Sequence, residues 1–351
     1  MSIRRLSVLD LIPVRDGQST GQALAASIAL ARSAEAAGFH RFWIAEHHNM
    51  PSVASTNPPV VIAMLAGATQ QLRVGSGGMM LPNHAPLVVA EQFSLLEARY
   101  PGRIDLGIGR APGSDPVTNW ALRHGGPQTG DADRFGEHVD NLIAMMEPAG
   151  VSLSLQGQAY ALRATPNALG RPTPWLLGSS DYSARLAASK GLPYVFAHHF
   201  SGDSTASVLD LYRSSFRGSD VSPAPQTFLT VNVVVAPTQE EADRLARPYV
   251  LAMVALRTGG QLGPQLSVEA AADVVLPESH AALAAQLTER WVVGTPEKAT
   301  AQLEELADHF GVDEVMVHPV AGALASDPAD RNPAREATLG LLAAQVFAAA
   351  V

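Results

Sequence analysis

Residues 73–113 read RVGSGGMMLPNHAPLVVAEQFSLLEARYPGRIDLGIGRAPG, and this stretch constrains the fold more than any other. A short apolar run enters Gly75, Gly77 and Gly78. Pro86 then opens a helix that carries Val89, Phe93, Leu96 and Tyr100 at i, i+4, i+7 and i+11 on one face. Tyr100-Pro101-Gly102 stops it, and a second strand over 103–108 runs into Gly109-Arg110-Ala111-Pro112-Gly113. Strand, helix and strand in this order form one βαβ unit.

The same alternation continues along the chain. Further strands are predicted over 6–10, 39–45, 174–177, 194–197, 228–235 and 314–318, with helical segments between them. Gly38 is placed just past the first helix, and Asn57-Pro58-Pro59 and Thr295-Pro296 read as helix starts. Counting the opening unit, eight strands are each followed by at least one helix, which specifies an α/β fold, a (β/α)8 TIM barrel. The expectation is a single domain over 1–351, with excursions near 111–131, 150–172 and 259–290. A doubly wound sheet is the alternative. Gly107-x-Gly109 resembles the start of its dinucleotide fingerprint, but Pro112 holds the position of the third glycine.

The net charge of -9 argues against nucleic-acid binding, which needs clustered Lys and Arg. The absence of cysteine removes disulfides, Cys-ligated metal and thiol nucleophiles together. No apolar run is long enough to span a bilayer. Asp10, Arg15 and Asp16 interrupt the N-terminal apolar stretch too early for a signal peptide, so a cytoplasmic protein without a membrane partner is expected.

In a barrel of this kind the site is built at the C-terminal ends of the strands, and the polar residues of note fall there. Glu46, His47, His48 and Asn49 follow strand two, and Ser76, Gly77 and Gly78 close strand three. Arg110 follows strand four, Ser179, Ser180 and Asp181 follow strand five, His198 and His199 follow strand six, and His318 ends strand eight. A guanidinium can grip a phosphate with two parallel hydrogen bonds. Ser179 and Ser180 would cap the next helix, whose N-terminus also favours an anion. Glycines at 75, 77 and 78 offer a wall without side chains to a flat ring, which with Arg110 reads as a flavin site. His47 has a pKa range suited to proton transfer, whereas Glu46 would face away if the strand continues. His198 and His199 face opposite sides of a strand and cannot chelate together, so no catalytic metal is expected; one of them would line a substrate pocket. Met79 and Met80 read as core, and Asn83 and His84 as candidates for the flavin pocket.

The ordered set Glu46-His47-His48, Gly75-Ser76-Gly77-Gly78, Leu81-Pro82, Gly107-Ile108-Gly109-Arg110 and Gly178-Ser179-Ser180 resembles the bacterial luciferase-like flavin monooxygenases, over nearly the whole chain. The resemblance implies a TIM barrel that binds reduced FMN from a separate flavin reductase and uses oxygen on a small organic substrate such as an aldehyde or ketone. It implies a homodimer. Some relatives are F420-dependent dehydrogenases instead, and a flavin-binding protein without turnover is a further alternative. Carried over by position, His47 is the active-site histidine, Arg110 meets the FMN phosphate, and Ser179, Ser180 and Ser183 are its other ligands. The Ser76–Gly77 bond would be the non-prolyl cis peptide behind the flavin ring. Gly109 stands where luciferase has a reactive cysteine, and Ser179 where its phosphate turn has a glutamate, so light emission is not implied.

Overall fold

The computed structural model of the protein describes residues 3–111, 115–123, 134–165, 168, 170–202, 204–260 and 262–348. Pro112, Gly113 and residues 124–131 of the expected loop lie outside these, as do residues 132 and 133 of the helix expected after it. The strands, in chain order, are β1 (Arg5–Asp10), β2 (Arg41–Ile44), β3 (Arg73–Met80), β4 (Ile104–Gly109), β5 (Val151–Leu155), β6 (Gln158–Leu162), β7 (Thr173–Gly178), β8 (Tyr194–Phe196), β9 (Thr227–Val235), β10 (Val292–Gly294) and β11 (Glu314–Pro319). The anticipated βαβ unit is present as β3, a helix over Pro86–Arg99, and β4. Eight of these strands close into a parallel ring in the order β1-β2-β3-β4-β7-β8-β9-β11, with β11 returning to β1. This is the (β/α)8 barrel.

The sequence pattern explains the ring. Along each strand alternate side chains point in and out. Leu6 and Val8 on β1, Phe42 and Ile44 on β2, and Leu106 and Ile108 on β4 join the large core between strands and helices. Leu9, Trp43, Trp175, Phe228 and Met316 point the other way and form a separate cluster inside the ring. There Trp43 and Phe228 meet edge to face at 5.2 Å, and Trp175 closes on Phe228 at 5.0 Å.

One layer below, at the N-terminal ends of the strands, the interior is ionic. Arg41 Nη1 binds Asp105 Oδ2 at 2.8 Å and Arg41 Nε binds Glu314 Oε1 at 2.6 Å, all three side chains being buried. Arg73 also binds Asp105, Trp43 Nε1 donates to it at 3.0 Å, and the Ser7 hydroxyl donates to Glu314 at 2.7 Å. Burial alone would raise the pKa of Asp105, but Arg41 and Arg73 outweigh it and lower it. The Arg41 guanidinium lies 4.9 Å from the Trp175 ring centre, so aromatic and ionic layers stack. This ionic plug packs the lower barrel beneath the aromatic cluster.

Two departures from the plain repeat matter. Between β4 and β7 an antiparallel hairpin of β5 and β6 projects with mostly exposed side chains, within the expected excursion at 150–172. Between β9 and β11 the 259–290 excursion carries helices Val268–Ala272 and Glu278–Thr288 and leads to β10, a short parallel strand the sequence reading did not anticipate. β10 pairs with Val233 to Val235 of β9, on the edge where β8 pairs with Thr227 to Leu229. Thr230, Val231 and Asn232 therefore have no ladder partner on that edge. Among the described residues no helix is long and apolar enough to cross a membrane.

A candidate active site at the barrel mouth

A cavity of about 460 Å³ opens at the C-terminal ends of the strands, within the roughly 300–1,000 Å³ typical of small-molecule sites. Its lining brings together seven of the eight residues singled out in the sequence: His47, Gly77, Gly78, Arg110, Ser179, Ser180 and Ser183. Ser76 is the exception. It is fully buried, and its hydroxyl donates to the Gly107 carbonyl at 2.8 Å, tying β3 to β4 behind the cavity.

The glycine wall is narrower than expected. Gly77 and Gly78 line the cavity, but Gly75 does not; a Cβ on Gly75 would come within 2.6 Å of Asp105, in the ionic layer. A Cβ on Gly78 would lie 2.8 Å from the Gly107 carbonyl oxygen, and one on Gly77 would lie 2.9 Å from Leu9 Cδ1. Backbone thus excludes a side chain at Gly78, one at Gly77 would require Leu9 to shift, and bare backbone is what faces the cavity. The non-prolyl cis peptide is Gly77–Gly78, one bond later than the Ser76–Gly77 bond expected from the resemblance.

The strand-four and strand-five exits form a cationic corner. A helix over Asp181–Lys190 begins there with Ser180 as its N-cap residue, and the Ser180 side chain makes no capping hydrogen bond. The commonest role for a serine in that place is therefore not the one it plays. The Arg110 guanidinium lies 4.1 Å from the ring centre of Tyr182 in the first turn of this helix. Among the described residues it has no carboxylate partner, and the hydroxyls of Ser179, Ser180 and Ser183 make no hydrogen bond. A free guanidinium, three free hydroxyls and the N-terminal amides of a helix make a set of donors suited to an anion.

Glu46 is not turned idly away. β2 ends at Ile44, so the alternation that would point Glu46 outward stops before it. Its buried carboxylate accepts from His48 Nε2 at 2.8 Å, from His84 Nε2 at 2.7 Å and from the Met80 amide at 2.9 Å. Burial would raise its pKa, but these hydrogen bonds outweigh it and hold the group at about 2. Glu46 thereby pins the exit of β3, next to the glycine wall. His84 is committed to this knot, and neither it nor Asn83 lines the cavity. Met79 is core, as expected, whereas Met80 lines the cavity.

Three histidines complete the lining: His47, His199 and His318. Burial lowers the pKa of each, that of His199 to about 4, so all three are neutral near pH 7. His47 Nδ1 is buried with no hydrogen-bond partner. The adjacent pair divides, although it lies in a turn beyond β8, which ends at Phe196, and not on the strand expected to separate the two. His199 faces the cavity, while His198 turns away, donates from Nδ1 to Thr205 Oγ1 at 2.8 Å and packs on Phe310.

Sequence reasoning missed Thr230 and Asn232. Both are buried on β9, and they orient His199 and His318. Their signal was present: two polar residues at i and i+2 in the otherwise apolar run TFLTVNVVV share the inward face. It also missed Arg335, which lines the cavity from the last helix but is paired with buried Asp10 at 2.7 Å. Among the described residues no group of three or more His, Cys, Asp or Glu could hold a metal ion.

Comparison with known proteins agrees with this architecture. The model of the luciferase-like monooxygenase family matches residues 4–314. A luciferase-like monooxygenase of Escherichia coli K12 is 41% identical over 322 residues, spanning 89% of this chain and 90% of its own. The crystal structure of apo-MsnO8 superposes with a TM-score of 0.84 at 33% identity, over 98% of this chain and 97% of that one. The oxygenating constituent of 3,6-diketocamphane monooxygenase from Pseudomonas putida, a type II Baeyer–Villiger monooxygenase solved with FMN, shares the fold with a TM-score of 0.72 at 20% identity, over 99% and 98% of the two chains. With the barrel, the mouth cavity and a match over most of its length, the chain belongs to the luciferase-like monooxygenase family.

Proposed function

We propose that the protein is a flavin-dependent monooxygenase that binds reduced FMN, supplied by a separate reductase, and uses oxygen to oxidise a small organic substrate such as an aldehyde or ketone. The observation that carries this reading is the pairing of bare Gly77–Gly78 backbone with an unpaired Arg110 and three free serine hydroxyls around one cavity. Flat backbone suits an aromatic ring face, and the cationic corner suits a phosphate dianion. The FMN-bound Pseudomonas enzyme of the same fold adds support for the cofactor, and its Baeyer–Villiger chemistry for a ketone substrate.

The residues present fit such a cofactor. Arg110, Ser179, Ser180 and Ser183 would hold its phosphate, and Gly77 and Gly78 would leave room for its ring. The bound flavin would supply electrons and oxygen activation. The chain would exclude water with its apolar lining and orient the substrate. His47, neutral and with Nδ1 unpartnered, could take or return a proton there. A homodimer belongs to the same proposal.

Titration with FMN, riboflavin and F420 tests it. Arg110→Ala should weaken FMN at least about tenfold and leave riboflavin, which lacks the phosphate, nearly unchanged. Equal loss for both ligands refutes the phosphate assignment. Preference for F420 over FMN replaces the reading with a dehydrogenase. FMN binding without product from any aldehyde or ketone leaves a flavin-binding protein.

A further inference from the structure

In the eight-strand ring β9 stands four places from β3, diametrically across the mouth from Gly77 and Gly78. Its inward-facing Thr230 and Asn232 each hold a histidine contributed by a flanking strand. His199, beyond β8, places Nδ1 2.7 Å from Thr230 Oγ1. The Phe196 carbonyl lies 3.3 Å from the Thr230 hydroxyl; with the single hydroxyl proton directed there, the Thr230 oxygen accepts from His199. His318, near the end of β11, places Nδ1 2.9 Å from Asn232 Oδ1. The Asn232 amide nitrogen donates to the His199 carbonyl at 3.1 Å, which fixes the amide so that its oxygen faces His318. His318 Nδ1 is therefore also a donor.

In this arrangement both rings carry their proton on Nδ1 and present Nε2 as a lone pair. Neither Nε2 has a hydrogen-bond partner among the described residues, and both residues line the cavity. The two rings are 6.1 Å apart, centre to centre, and edge the same region of the cavity. Burial keeps both imidazoles neutral near pH 7, which makes them weak bases and leaves them no charge with which to hold an anion. Around them Leu11, Met253 and Leu256 supply an apolar lining.

We propose that Nε2 of His199 and Nε2 of His318 form a paired acceptor site that selects an uncharged substrate with an apolar body and an O–H or N–H donor. The inference rests on the flavin reading only in taking this cavity as the place of catalysis. It separates donor-bearing molecules, such as hydroxylated ketones and aldehydes, from carboxylates and sulfonates, and from hydrocarbons of the same shape. A ligand that fills the site without a donor leaves both acceptors dry, one more than a ligand with a single donor, and that difference is the source of selection.

Calorimetric titration of the full chain, with and without FMN, using p-cresol, p-xylene and p-toluate tests it. p-Cresol should bind up to about tenfold more tightly than p-xylene, as its one donated hydrogen bond allows, and with FMN seated on the Arg110 corner p-toluate should bind weakest. In the double variant His199→Leu, His318→Leu the preference for p-cresol should fall to within about twofold. Equal binding of p-cresol and p-xylene, absence of p-cresol binding, or tightest binding of p-toluate to the FMN-loaded protein overturns the proposal. So does a preference that survives the double variant. Long-range proton–nitrogen correlation of the wild-type imidazoles gives a check that needs no substitution: both residues should be Nδ1–H tautomers, and an Nε2–H tautomer at either one overturns the proposal. Failure of the wild type to bind FMN in the parallel titration would count against the flavin reading alone, because the cresol comparison also runs without it.

Discussion

Replacing Glu46 by glutamine removes the charge at the knot that ties β2 to the exit of β3. The carboxylate side chain has no solvent exposure and a pKa of about 2, against 4.5 for an ordinary glutamate. A depression of that size corresponds to roughly 3 kcal/mol of stability at neutral pH. The sign follows from the direction: the contribution is present above the unfolded pKa and is lost as pH falls toward the folded one. About 1.4 kcal/mol of it should have gone by pH 3.5. Glutamine keeps the shape and one acceptor, so Glu46→Gln should cost about 2–3 kcal/mol at pH 7. For a chain of this length that lowers Tm by roughly 3–4 °C. The assay is thermal unfolding of both proteins by circular dichroism from pH 7 to pH 3.5. The gap between them should narrow as the pH falls. A gap that is the same at both ends, or no gap at all, would show that the charge of Glu46 does not hold this corner.

Arg41→Ala leaves Asp105 and Glu314 without their shared partner inside the barrel, and should destabilise by about 3–5 kcal/mol, seen as a loss of several degrees in Tm or of soluble protein; an unchanged Tm refutes the ionic plug. Gly107→Ala places a Cβ 2.0 Å from the Ser76 carbonyl oxygen, so β3 and β4 must part, whereas Gly109→Ala meets nothing nearer than 3.7 Å. The first should cost about 3 kcal/mol or more and the second little, by comparison of their melting curves; equal tolerance of both would contradict the close approach. His47→Gln should reduce turnover by about two orders of magnitude or more while FMN affinity, read by flavin fluorescence, changes less than about twofold. Parallel loss of both would give His47 a binding role instead.

Where local chemistry dictates structure, the sequence was readable. Asn57 and Thr295 cap the helices they were expected to start, Gly38 follows the first helix with a positive φ, and the apolar periodicity located all eight barrel strands. The misses share a cause. β10 is three residues long, too short to show a period, and exists because β9 offers it an unpaired edge. The role of Glu46 depended on where β2 ends, and a strand end moved by a residue reverses an argument from alternation. Gly75, Gly77 and Gly78 were expected to form one wall, with Ser76 among them, because a run of small residues carries no marker of direction. In three dimensions Gly75 packs on Asp105 and Ser76 faces β4, while Gly77 and Gly78 face the cavity. The histidine holders Thr230 and Asn232 were visible as polar breaks in an apolar strand, but their partners lie 31 and 86 residues away.

The seam between β8 and β9 has a consequence for how such a barrel can change. On the β3 and β4 side the ladder is irregular at Gly77 and Gly78 but closes again at Met79 and Met80, so the rim itself is fastened by main-chain pairing, which side-chain substitution leaves in place. Across from it the ladder lapses over three residues, and side chains of Thr230 and Asn232 stitch the gap to Phe196 and His199 instead. Those stitches can be rewritten two codons at a time. One flank of the mouth is therefore conservative by construction and the other editable, so descendants of this scaffold can exchange their guests without rebuilding the wall opposite.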